Sequence, residues 1–132
     1  LGDRVFAEIN KREGNISEDL WPVYIDFFET MADLISPPDM IVYLNVTPGK
    51  AMSGVKSRGR ASENTGVTLA YQQKLKAGYD DMIKRVADAK ESWAGRTIVH
   101  EVPGYMDEEA MERTALAIDE VVFNLLRLAA AT

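Results

Sequence analysis

The stretch Lys56-Ser57-Arg58-Gly59-Arg60-Ala61-Ser62-Glu63 holds the residues best suited to chemistry. Two arginines around one glycine, between two predicted helices, suit a clamp on phosphate oxygens. A guanidinium offers parallel N–H donors and keeps its charge, which matches a phosphoryl group whose charge shifts during transfer. Gly59 lets the backbone aim both forks at one point. The same spacing also fits a solvated helix end where the arginines pair with nearby carboxylates, and the pattern alone does not separate the two. These 132 residues hold no phosphate-binding P-loop. Around Gly49-Lys50 it would need Gly at position 44 and Ser or Thr at 51, where Leu44 and Ala51 stand. Thr47-Pro48-Gly49-Lys50 reads instead as a helix start.

Other chemistries are excluded by composition. There is no cysteine, so a disulfide framework, a thiolate metal site and a cysteine nucleophile are ruled out. His100 is the one histidine, which removes a His-based metal site or a Ser-His-Asp triad and leaves His100 as a packed or surface residue. Asp107-Glu108-Glu109 reads as a helix amino terminus favoured by the macrodipole rather than as a metal site. A net charge of −6 argues against a general nucleic-acid binder. The apolar runs Met40 to Leu44 and Leu128 to Ala131 fall short of the about 18 residues that span a bilayer, so no direct membrane insertion is expected. Leu1 to Asn10 lacks the basic start and apolar core of a signal peptide.

Stepping outward, the periodicity predicts a short helix over Asp3 to Arg12 ending near Gly14. A second runs from an Asp19 cap to Ile35, with Tyr24, Phe27 and Phe28 in an aromatic stripe suited to core or dimer packing, and Pro37-Pro38 stops it. Met40 to Val46 is apolar on both faces for five residues, as a parallel strand between helix layers would be. Thr47 caps the next helix, which fades over 57–65. A long amphipathic helix follows from about Leu69 to Lys90, then a strand over Thr97 to Val102 and a last helix capped by Asp107. Strands separated by helices imply parallel pairing and an α/β layer fold. Two such strands leave two open sheet edges, so the chain is expected to be the second half of a larger α/β protein that begins before Leu1.

On these residues the chain resembles the deoxynucleoside kinase family over roughly residues 2 to 90. Asp3-Arg4-Val5-Phe6-Ala7-Glu8 is similar to the tail of the family's ERS…SDR-x-F-A segment. Trp21 through Met31 resembles its central helix, and Pro37 through Leu44 its P-P-D-x-x-I-Y-L strand. Arg58-Gly59-Arg60 with Glu63, then Gly66 through Tyr79, resembles the arginine lid followed by G-I-P-L-x-Y-L-x-x-L-x-x-x-Y. This last match is the most specific, because thymidylate kinases share the strand and the lid arginines but not the pattern that follows them.

The resemblance implies the carboxyl-terminal half of a P-loop-kinase-like three-layer fold, one partial domain over 1–132 with a lid at about 57–66. It implies ATP-dependent 5′-phosphorylation of a deoxynucleoside, with the main ligands of ATP and Mg²⁺ outside this chain. Arg58 and Arg60 would close over the donor phosphates. Glu63 would accept from the deoxyribose 3′-hydroxyl, Asp3 would be the acid near the base, and Phe6 an apolar wall beside it. Tyr105 lies where the family wraps the ATP adenine. A third lid-helix arginine of the family falls on Gly54 here. A homodimer or a place in a larger assembly is expected, and the compartment stays open between mitochondrion and cytoplasm. The alternative is a non-catalytic member of the same fold, such as the kinase-like accessory subunit of mitochondrial respiratory complex I (NADH:ubiquinone oxidoreductase).

Overall fold

The computed structural model describes residues 2–59, 67–88, 97–104 and 107–129. Within them the order is α1 (Gly2–Arg12), α2 (Leu20–Asp33), β1 (Met40–Asn45), α3 (Pro48–Arg58), α4 (Leu69–Ala87), β2 (Ile98–Pro103) and α5 (Glu108–Ala129). The strands pair in parallel, Met40 against Ile98 through Asn45 against Pro103. The Ile98 N–H donates to the Asp39 carbonyl and the Gly104 N–H to that of Asn45, which frames the ladder at both ends. This is the expected α/β arrangement, with α3 and α4 in the crossover between the strands.

Capping explains most of the boundaries. Thr47 is extended, accepts from the Lys50 N–H, and is followed by Pro48 at the first helical position. Thr68 accepts from the Tyr71 N–H at 3.1 Å, and Asp107 from that of Ala110 at 2.8 Å. Gly59 ends α3 at φ 63°, a left-handed turn that is cheapest for glycine. α2 starts after Asp19 as expected, but the expected side-chain cap is not made. Asp19 is helical and makes no side-chain cap bond, whereas the Ser17 hydroxyl accepts from Leu20 N–H and its carbonyl from Trp21 N–H. Because the helix itself begins at Leu20, Pro22 stays in the first turn, where no amide hydrogen is needed. α4 ends at Ala87, short of Lys90; residues 89–96 lie outside the described set.

The main apolar cluster lies on one face of the sheet, while Val102 of β2 is buried on the other. Val5 and Ile9 of α1 meet Met82 and Ile83 of α4, with Ile41, Tyr43 and Val99 of the strands packed beneath. α1 approaches α4 closely at Gly78, where an added Cβ would lie 2.7 Å from a Val5 methyl. The expected double-sided burial of β1 is not met: on its other face Val42 is 38% exposed and Leu44 57%. The reason is coverage, since the helices that pack on the strands lie largely against the Ile41–Tyr43 face. Among the described residues of α5 none is buried, so its predicted stripe of Met111, Ala115, Ile118, Val122 and Leu125 stays at least partly exposed. No helix of the described residues is long and apolar enough to cross a membrane.

Candidate functional site

α1 exists because Val5 and Ile9, one turn apart, both face the core. Its opposite edge is charged. Arg4 and Glu8 pair at 3.1 Å along the helix, and Arg85 of α4 reaches Glu8 at 3.4 Å while also pairing with Asp81. These contacts orient the amino end of α1, where Asp3 stands exposed in the first turn, the position the helix dipole favours for an acid.

Around Asp3 the structure assembles an aromatic wall. The Tyr24 hydroxyl of α2 donates to Asp3 Oδ2 at 2.9 Å. The Tyr24 ring stacks on Trp21 at 5.4 Å and leans on Phe28 at 6.2 Å, and the Arg4 guanidinium lies over Phe28 at 5.5 Å. Burial and the hydrogen bond to Asp3 push the Tyr24 phenol up to about 12. Phe6, one turn along α1 from Asp3, is 40% exposed and meets Tyr79 of α4 edge-on at 6.4 Å. An acceptor-only carboxylate beside exposed aromatic edges can receive a planar group that carries N–H donors. Asp3 and Phe6 are thus brought together, and Tyr24 and Tyr79 join them. Sequence reading took Tyr24 for packing. Nothing in the spacing links position 24 to position 3, so only the meeting of α1 and α2 reveals the bond. Next to this wall, Phe28, Met31, Ala32, Ile35 and Pro38 line an apolar cleft of about 150 Å³.

Arg58 belongs to a separate element. Buried Val55 anchors α3, which packs on α4 as α1 does, and the exposed Arg58 occupies its last turn beside the left-handed Gly59. A cation there complements the negative helix end. Gly54, in the position of the family's third arginine, lines a shallow groove with Lys50, Ser53 and Ser57. Arg60, Glu63 and Tyr105 lie outside the described residues, as does the rest of the expected lid over 60–66.

At the carboxyl end of the strands Asn45 donates to Glu101, and Gly104 packs so closely on Val46 that a Cβ would lie 1.8 Å from its methyl. On the helix-covered face Tyr43 donates to Asp80 at 2.7 Å, and Lys76 both pairs with Asp80 and lies over the Tyr43 ring. Burial and the bond to Asp80 hold the Tyr43 phenol well above its ordinary value. Burial opposes the charge on Asp80, but the bonds from Lys76 and Tyr43 outweigh it and lower its value. His100 lies half-buried on β2 near α5, and Asp107 serves as the cap of α5. Among the described residues no three His, Cys, Asp or Glu side chains are grouped to hold a metal ion.

A parallel pair of strands joined by a helical crossover and flanked by further helices defines an α/β protein. The comparisons give the family. The deoxynucleoside kinase model matches residues 1–123, and the chain belongs to that family. It is 28% identical over 85 residues to the deoxyadenosine kinase of Dictyostelium discoideum, covering 64% of this chain and 34% of that protein. It is 35% identical over 74 residues to deoxycytidine kinase 2 of Gallus gallus, covering 54% of this chain and 28% of that one. The match thus spans about a third of each curated relative's length. The fold matches that of deoxyadenosine kinase from M. mycoides, solved with bound dCTP, at a TM-score of 0.73 and 23% identity, over 90% of this chain and 60% of that one.

Proposed function

We propose that this chain is the part of a deoxynucleoside kinase that carries the base-facing acid and the arginine lid. The complete protein then transfers the γ-phosphoryl group of ATP to the 5′-hydroxyl of a deoxynucleoside. The observation that carries the reading is the exposed Asp3 carboxylate, held by Tyr24 one turn of α1 from Phe6, in a chain of this family. Asp3 and Phe6 meet the base, and Glu63 accepts from the sugar 3′-hydroxyl. Arg58 and Arg60 bind the phosphates of ATP and stabilise the charge that develops during transfer. Tyr105 lies against the adenine. In the reaction the nucleoside 5′-oxygen bonds to the γ-phosphorus as the bond to the β–γ bridging oxygen breaks, and ADP leaves.

Support for the lid comes from the place of Arg58, exposed at the end of a helix that Thr47, Pro48 and buried Val55 hold in position. A guanidinium there is preorganised at its base by the helix that carries it, as a clamp on a ligand requires. The test is steady-state phosphorylation of the four deoxynucleosides by the complete protein, with ADP release measured in parallel. Phosphorylation of at least one is expected. Failure with all four, from protein shown to be folded, would leave a non-catalytic member of the fold.

A further inference from the structure

We propose that Tyr24 is a positioning residue for Asp3, holding one carboxylate oxygen so that the other meets the nucleoside base. The inference rests on the kinase reading above and adds a residue to its base site. An exposed aspartate turns freely about its side-chain torsions, and a carboxylate that must accept from a ligand N–H loses entropy when it is fixed. Here that ordering precedes the ligand. The Tyr24 hydroxyl donates to Oδ2 at 2.9 Å, from a ring that cannot swing: Trp21 stacks on it and Phe28 leans on it. Phe28 is covered in turn by Arg4, the residue after Asp3, so α2 returns its aromatic row to the element that carries the acid. Arg4 also pairs with Glu8, and Glu8 with Arg85 of α4, which ties this arrangement to the core. Because a carboxylate only accepts and the phenol supplies the donor to one oxygen, the pair presents an oriented acceptor to whatever N–H a base offers.

A clasp that merely joins α1 to α2 would use the same bond, and kinetics separate the two roles. In the complete protein, Tyr24→Phe removes one hydroxyl and keeps the ring stack. The KM for the preferred deoxynucleoside is expected to rise about 10- to 150-fold, the worth of one hydrogen bond to a charged group, with kcat and the KM for ATP within about 2-fold. Asp3→Asn raises the nucleoside KM at least as far, and adding Tyr24→Phe to it brings no further loss, because the phenol acts through the carboxylate. Calorimetric binding of the nucleoside without ATP should show the same order of affinities, a readout independent of turnover. An unchanged nucleoside KM in Tyr24→Phe overturns the inference while leaving the kinase reading intact. So does additivity of the two substitutions, or a lowered melting temperature with KM unmoved. If the wild-type protein neither binds nor phosphorylates any of the four deoxynucleosides, the kinase reading falls and this inference with it.

Discussion

At position 58 the shape of the side chain matters as well as its charge. On the lid reading Arg58 donates two parallel hydrogen bonds to a group whose charge grows towards the transition state. Arg58→Ala is then expected to lower kcat about 10²- to 10³-fold, with a much smaller change in the nucleoside KM. Arg58→Lys recovers only part of the loss, since an ammonium keeps the charge without the fork. A nucleoside KM that rises while kcat holds would place Arg58 at the nucleoside instead. Asp80 gives a prediction of a different kind. Its folded value is lowered, so the unfolded chain takes up the proton more readily than the folded one. The contribution is present above the ordinary carboxylate range, about pH 4, and is lost as the pH falls through the lowered value. In Asp80→Asn the melting temperature should therefore decline less than in the wild type between about pH 6 and about pH 3. Equal declines would show that the Lys76 and Tyr43 contacts do not discriminate the charged form.

The elements show which local rules hold and where packing overrides them. Helix propensity alone favours Ala over Gly at position 78 by about 1 kcal/mol. The crossing of α1 and α4 leaves no room for it, because the added Cβ would meet the Val5 methyl at 2.7 Å. Overpacking of this kind costs about 1–3 kcal/mol, so Gly78→Ala is expected to lower the melting temperature by several degrees. Combining it with Val5→Ala should cost less than the two changes summed, as the clash and the lost methyls share one space. Additive losses would mean that the helices simply move apart. The same crossing places Phe6 against Tyr79, so on the kinase reading loosening it should also weaken nucleoside binding. The start of α2 shows how near-equivalent caps are decided. Ser17 and Asp19 are both good capping residues by type; Ser17 accepts the first amide hydrogens, while the helix itself begins at Leu20 and so keeps Pro22 in the first turn.

For the whole molecule the governing fact is apolar surface that the described residues leave uncovered. Phe27 is 65% exposed on α2, with Leu20 and Val23 exposed on the same helix and Leu34 and Ile35 just after its end. Val42 and Leu44 stand out from β1, and Leu116, Phe123 and Leu126 from α5. Scattered exposed apolar side chains are ordinary, but contiguous ones drive association. The 132-residue chain expressed by itself is therefore expected to self-associate. It should sediment as a concentration-dependent mixture and bind a hydrophobic dye more strongly than the complete protein. A single monomeric species with a sharp melt would show that this surface is tolerated in water. Phe27→Glu in the complete protein should change the elution volume if α2 forms a subunit contact, and leave both elution and melting temperature unchanged if that face meets only solvent.

Much of the architecture could be read from residue order, because it depends on local physics. β-branched runs at Met40 to Asn45 and Ile98 to Val102, separated by amphipathic helices, admit parallel pairing almost alone. Thr47, Thr68 and Asp107 cap as their side chains dictate, within three residues of their partners. The arginines around Gly59 could be singled out as suited to phosphate because guanidinium chemistry does not wait on the fold. What lies between elements was illegible. That Tyr24 donates to Asp3 across 21 positions, that Arg85 reaches Glu8 across 77, and that Lys76 and Tyr43 converge on Asp80 are consequences of how helices cross. Periodicity says which side of a helix is apolar and is silent on which neighbour meets it. For the same reason the apolar run of β1 read as buried on both faces, whereas coverage is set by the layers that surround a strand, and here the helices close over one face more fully than the other.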